Sequence, residues 1–148
     1  MLAQQLFFAL GIASNIALIT IFLLVRAGRE DDVRRTGWAY TLLALPAVYT
    51  IIMVAREQQS VRYTIFLCLF LAFLALETLY DRILHLPFRQ DWRLLVPYLA
   101  LYWAMNYGFV VMVWQMSMPR GLVMLGLATL QMVANIGTHL PLRTTQQV

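Results

Sequence analysis

The stretch VRYTIFLCLFLAFLALETLYDR, residues 61–82, runs without a charge from Tyr63 to Leu76, and its centre LFLAFLAL is apolar at every position. A strand of a membrane barrel would alternate apolar and polar residues, and this run does not. In hydrocarbon the backbone must satisfy its own hydrogen bonds, which a helix does within a single segment. The stretch therefore predicts a membrane-spanning helix that carries one acid, Glu77, near its end.

Working outward, the same pattern repeats. Residues 1–25 hold no Asp, Glu, Lys or Arg; the intervals 36–55, 94–119 and 121–142 are also uncharged. A helix rising about 1.5 Å per residue needs roughly 20 residues to cross a hydrocarbon core near 30 Å. Four intervals meet that length, and the stretch quoted above meets it once Glu77 is counted inside. The first interval has no basic residue before it and is too long for the apolar core of a cleaved signal, so it is read as a span.

Composition agrees. Of 148 residues, 61% are hydrophobic and 12% charged, about half the charge of an ordinary soluble domain. The single Cys68 excludes a disulfide scaffold, and the apolar content excludes disorder. The expected fold is an all-α integral membrane protein, one domain over 1–148. It is a compact bundle of five transmembrane helices at approximately 4–25, 37–55, 63–81, 94–114 and 120–140. Short connectors at 26–36, 56–62, 81–93 and 115–120 join them, with no internal repeat.

Arginine placement orients the bundle. Arg26, Arg29, Arg34, Arg35, Arg82, Arg89, Arg93 and Arg143 fall on one side, and Arg56, Arg62 and Arg120 on the other. The positive-inside rule places the N-terminus outside and the C-terminus in the cytoplasm. The expected setting is a multi-pass protein of a prokaryotic cytoplasmic membrane. The net charge of +4 follows from topology and anionic lipid, and implies no nucleic acid. Trp38, Trp92 and Trp114 fit interfacial belts, whereas Trp103 lies deeper and is expected to pack. Ala9, Ala13 and Ala17, with Gly11 and Ser14 beside them, form a small-residue ridge suited to close approach of a helix of this chain or of another subunit. Pro46 deprives the Leu42 carbonyl of its donor and predicts a kink. Cys68 reads as a small buried hydrophobe.

The polar residues within spans supply the candidate sites. Asn15, Asn106 and Gln131 fall near the midpoints of their helices, where lipid satisfies no amide, so they are expected to form an interhelical layer, joined by Tyr49 or Tyr107. Glu77 is the one charged residue inside a span, and Asp81 follows it at i+4 on the same helical face. Two carboxylates at a helix C-terminus require compensation: a proton, a metal ion, or a guanidinium such as Arg26 or Arg93. Glu77 and Asp81 are the catalytic candidates if the protein is an enzyme. His85, four residues beyond Asp81, and His139 are candidate metal ligands. Neither belongs to a dense ligand motif, so no metal is favoured. Tyr98, Tyr102 and Phe109 make an aromatic face that could stack a quinone or another flat lipid-soluble ligand.

No motif for phosphate, dinucleotide, serine-nucleophile or thiol-redox chemistry is present, and no cofactor is indicated. The reading that fits these features is a non-catalytic accessory or assembly subunit of a larger membrane complex. Its partners would be the bilayer and other membrane subunits or copies of itself. The alternatives are a membrane-embedded enzyme acting on a lipid-like substrate, and a small-solute or proton transporter.

Overall fold

The computed structural model describes residues 1–84 and 91–139, and within them the chain is all helix, with no strand. Five helical segments are long and apolar enough to cross a membrane. They are built from α1 (Leu2–Arg26), α2 (Glu30–Thr41), α3 (Ala44–Arg56), α4 (Val61–Thr78), α5 (Trp92–Met116) and α6 (Met118–His139), with α2 and α3 sharing one span.

Helix α2 begins at Glu30, so most of the expected first connector is helical. The reason is local: Glu30, Asp31 and Asp32 occupy its first turn, where carboxylates oppose the positive end of the macrodipole. Gly28, at φ +69°, turns the chain between α1 and α2. The amides of Gly28 and Arg29 then close on the carbonyls of Val25 and Leu24 at 3.1 Å each, the C-cap arrangement that glycine permits.

The expected disturbance before Pro46 is present. With no proline N–H to meet it, the Leu42 carbonyl accepts from Leu45 N at 3.1 Å, and Leu43 N donates to Tyr40 O at 3.0 Å. Both are i→i−3 bonds, so the ladder tightens and α2 and α3 become separate rods. Helix α4 passes directly into a π turn, Leu79–Ile83, closed by Leu84 N on Leu79 O at 2.9 Å. The tightest junction is between α5 and α6, where Ser117 alone is extended (φ −166°, ψ 143°).

Helix α1 packs against α2, α3, α5 and α6, while α3 meets α4, α4 meets α5, and α5 meets α6. The first and last helices lie side by side and run in the same direction. Arg120 stacks 5.6 Å from the Phe8 ring centroid near one end, and the Arg26 guanidinium lies beside Gly137 near the other. The α1 stripe that faces the core is Ala3, Phe7, Leu10, Gly11, Ser14, Asn15 and Leu18. It is not the alanine ridge: Ala9 is exposed, and Ala13 and Ala17 are half-buried. Close approach is made at Gly11, where a Cβ would stand 2.7 Å from Met124 Cε and 2.9 Å from Phe109 Cδ1.

Rings fill the centre. Phe7 meets Tyr63 edge-on at 5.1 Å, Phe70 meets Phe109 at 5.5 Å, and Tyr40 lies edge-on to Phe70 and Phe73. Where such helices lie in lipid, which is as apolar as these side chains, packing rather than escape from water favours their association. Two expectations fail on the outer surface. Trp103 is 53% exposed, with its ring edge-on to Tyr102, and Cys68 is exposed as well. Helix α5 is apolar nearly all round, so composition could not say which side of it faces inward.

Candidate functional site

Two polar regions interrupt the apolar bundle. The first is the seam between α1, α5 and α6. Asn15, Asn106 and Gln131 are buried there, at 1%, 3% and 0% relative exposure. Asn15 Nδ2 donates to Gly11 O at 2.9 Å, and Asn106 Nδ2 donates to Tyr102 O at 2.9 Å. Both acceptors are backbone carbonyls of the preceding turn, which fixes each amide with its oxygen pointing away from that bond. Gln131 Nε2 donates to the Tyr102 hydroxyl at 3.0 Å, which ties α6 to α5. Tyr102 thus fills the place expected of Tyr49 or Tyr107, both of which are exposed. Among the described residues the three amide oxygens have no hydrogen-bond partner. The amides do not bond to one another: Asn15 and Asn106 each donate within their own helix, Asn15 also reaches Met124 Sδ of α6 at 3.5 Å, and Gln131 bonds across to α5.

The second region is a recess of about 580 Å³ at the end of the bundle where α1 finishes. Its apolar wall comes from α1, chiefly Leu18, Phe22 and Val25, and Val33 of α2 adds to it. Trp38, Glu77 and Tyr98, from α2, α4 and α5, line the rest, with Arg29, Glu30 and Arg34 along the start of α2. The recess has a structural cause. Helix α3 packs on both α1 and α4, but beyond the break at Leu42–Leu43 the main neighbour of α2 is α1.

Electrostatically the recess is mixed. The Arg29 guanidinium is 2.6 Å from the Asp32 carboxylate, and Arg34 lies 3.7 Å from Asp31. Glu77 is half-buried and lies within the electrostatic reach of the Tyr40 hydroxyl. That hydroxyl meets Ser14 Oγ at 3.2 Å, while Thr41 and Thr78 pair their hydroxyls at 3.5 Å nearby.

The remaining sequence candidates separate. Of the aromatic face, Tyr98 lines the recess with its ring 5.3 Å from Phe73, while Tyr102 and Phe109 are buried core residues. Arg26 reaches α6 at Gly137, and Arg93 sits exposed, its backbone N–H donating to the N-cap carboxylate Asp91 Oδ1 at 2.9 Å. Asp81 lies on the π turn, which alters the α-helical spacing on which a shared Glu77–Asp81–His85 face depends. His85 lies outside the described residues, as do the side chains of Asp81 and His139. Among the described residues no three His, Cys, Asp or Glu side chains gather as metal ligands would.

One residue not singled out in the sequence holds the opposite end of the bundle. Glu57 Oε1 accepts from Leu2 N at 3.0 Å and from Ala3 N at 3.3 Å, so the turn after α3 caps α1. Gln4 Nε2 donates to Gln59 Oε1 at 3.2 Å beside it. A lone acid in a connector gives no sign of this, because the helix it caps lies more than fifty residues away in the chain.

Comparison with protein families, with curated proteins and with solved structures finds no match for this chain.

Proposed function

We propose that this chain is a multi-pass protein of a prokaryotic cytoplasmic membrane, N-terminus outside and C-terminus in the cytoplasm. Its role is that of a non-catalytic accessory or assembly subunit, held in a larger membrane complex through the outer face of α4 and α5. One observation carries the reading. Trp103 and Tyr107, one turn apart at the middle of the 25-residue α5, are 53% and 65% exposed. Lipid-exposed Trp and Tyr normally sit at the two interfaces, where the indole N–H and phenol O–H reach water or headgroups. At the middle of a span lipid offers them nothing, whereas a neighbouring helix offers carbonyls and side chains.

The surface beside them suits such a neighbour. A shallow groove of about 320 Å³ runs between α4 and α5, with Phe66, Tyr107 and Val111 along it and Arg62 and Gln115 at one end. The neighbour is another membrane-spanning helix carrying hydrogen-bond acceptors at mid-depth.

The test is native extraction in a mild maltoside, followed by mass measurement. Wild-type protein is expected in an assembly larger than one chain, and Trp103→Leu with Tyr107→Leu should release folded monomer. A wild-type chain that runs alone overturns the reading. An assembly of identical copies would replace a foreign complex by self-association through the same face.

A further inference from the structure

We infer that α1, α5 and α6 enclose a site for internal water, a pair of molecules held around Ala128 by the side-chain amides of Asn15, Asn106 and Gln131. This goes beyond the subunit reading and does not depend on it.

The register of the three helices brings these amides together. Gly11 of α1 stands against both Phe109 of α5 and Met124 of α6, so the three residues share a level. From there α1 and α6 run one way and α5 the other. The bond from Gln131 Nε2 to the Tyr102 hydroxyl, at 3.0 Å, keeps the α5–α6 register two turns further along. At about 1.5 Å per residue, Asn15 and Ala128 lie about 6 Å beyond the Gly11 level and Asn106 about 4.5 Å, all in the same direction. Gln131 follows roughly one turn later. Ala128 is 4% exposed, so the two asparagines meet over a single buried methyl group, with Gln131 next to it on the same face of α6.

The hydrogen-bonding capacity left on the amides selects the ligand. Asn15 Oδ1, Asn106 Oδ1 and Gln131 Oε1 are buried acceptors with no partner among the described residues. Each amide nitrogen carries two hydrogens. Asn106 Nδ2 uses one on Tyr102 O and Gln131 Nε2 one on the Tyr102 hydroxyl, so each keeps a second; Asn15 Nδ2 directs its hydrogens at Gly11 O and Met124 Sδ. A cation would suit the oxygens but face the spare N–H groups. The polar residues buried in the bundle, Ser14, Asn15, Thr50, Asn106 and Gln131, bring no negative charge to balance it. An anion would suit the hydrogens and face three oxygens. Water both donates and accepts. A pair of waters supplies a hydrogen to each amide oxygen and one to the link between them, and accepts the two spare amide hydrogens. Each water then makes about three or four bonds, and about three is usual for a buried water. Such bonds also remove the cost of leaving a buried carbonyl oxygen unpaired.

The experiment uses the full chain, labelled with the heavy nitrogen isotope, in maltoside micelles, and reads by NMR the magnetisation passed from water to side-chain amides. Laboratory-frame and rotating-frame transfer have opposite signs for a bound water and the same sign for hydrogen exchange, which separates the two. Direct water contact is expected at the Asn106 and Gln131 amides of the wild type. Ala128→Val enlarges the one methyl between the amides and leaves all three in place; it should abolish both contacts while the far-ultraviolet circular dichroism stays unchanged. Asn106→Leu takes one amide from the pair of waters and should weaken the contact at Gln131. If either variant fails to fold, the wild-type spectrum and the other variant still decide. A wild type without direct water contact at either amide has a dry seam and overturns the proposal, as does contact at Gln131 that both substitutions leave unchanged. Side-chain amide shifts of Asn15 and Asn106 that saturate on titration with sodium or potassium chloride would assign the oxygens to a cation and overturn it as well.

Discussion

Two glycines of α6 experience opposite surroundings, and replacing each by alanine should move stability in opposite directions. A Cβ on Gly121 would stand 2.8 Å from the Trp114 Cα and 2.7 Å from its ring atom Cε3, whereas one on Gly126 would meet nothing within 4 Å. Carbon atoms rest about 3.5–4.0 Å apart, so Gly121→Ala must open the α5–α6 corner by roughly 0.7–1.2 Å. Ser117 is the only residue between those helices, and the obstructing atom is backbone, so no rotamer change relieves the overlap. Overpacking costs about 1–3 kcal/mol, and the upper part of that range applies here. Replacing a helical glycine by alanine returns about 1 kcal/mol, leaving a net loss of about 2. Gly126→Ala keeps the gain with no overlap and should stabilise by about 0.5–1 kcal/mol. Reversible unfolding in maltoside–dodecyl sulfate mixed micelles, followed by circular dichroism, reads both. If Gly121→Ala proves as stable as Gly126→Ala, the one-residue corner is wrong.

Other expectations follow from single contacts. Glu57→Ala removes the carboxylate over the first amides of α1 and should cost about 0.5–2 kcal/mol. Hydrogen exchange at Leu2 and Ala3 should quicken, and unchanged exchange would rule out the cap. Gln58 holds φ +50° at the end of α3, so Gln58→Gly should stabilise by about 1 kcal/mol in the same unfolding assay, and a loss would contradict that backbone. Pro46→Ala restores a donor for the Leu42 carbonyl and should straighten the α2–α3 span. Spin labels at Arg34→Cys and Arg93→Cys in a Cys68→Ser background would report the altered α2–α5 distance; an unchanged distance would assign the break to packing on α1. In the same background an impermeant maleimide applied to intact cells should label Ser60→Cys and spare Arg35→Cys. The reverse pattern would invert the proposed orientation.

How much of this was legible in the sequence depended on whether a physical rule tied a residue to one environment. The gaps between charges located five spans because a charge in hydrocarbon is costly and eleven arginines punctuate the chain. The burial of Asn15, Asn106 and Gln131 was legible because an amide facing lipid has no partner. Apolar residues obey no such rule in a membrane. Lipid and protein interior are equally apolar, so Trp103 and Cys68 could face either way, and both face outward. Of the small residues of α1, Gly11 and Ser14 face the core while the alanines beside them are exposed or half-buried, for the same reason. The segment from Glu30 to Thr36 looked like a connector because it is charged, although three acids at a helix start are themselves a helix signal. The recess had no signature in the sequence, since it arises from how far α2 stands from α4 after the break.

The pairing of α1 with α6 also bears on how the protein is made. Roughly ninety residues separate the end of α1 at Arg26 from the start of α6 at Met118, and at about 5–20 residues per second they take some 5–20 s to synthesise. Throughout that interval the Gly11–Asn15 stripe of α1 lacks the helix that later covers it. Asn15 Nδ2 bonds Gly11 O at 2.9 Å within α1 itself, but its second contact, Met124 Sδ at 3.5 Å, comes only with α6. Helix α6 therefore completes the packing of α1. A chain stopped before Met118 should leave Gly11 and Phe109 without Met124 against them and prove less stable than the full bundle.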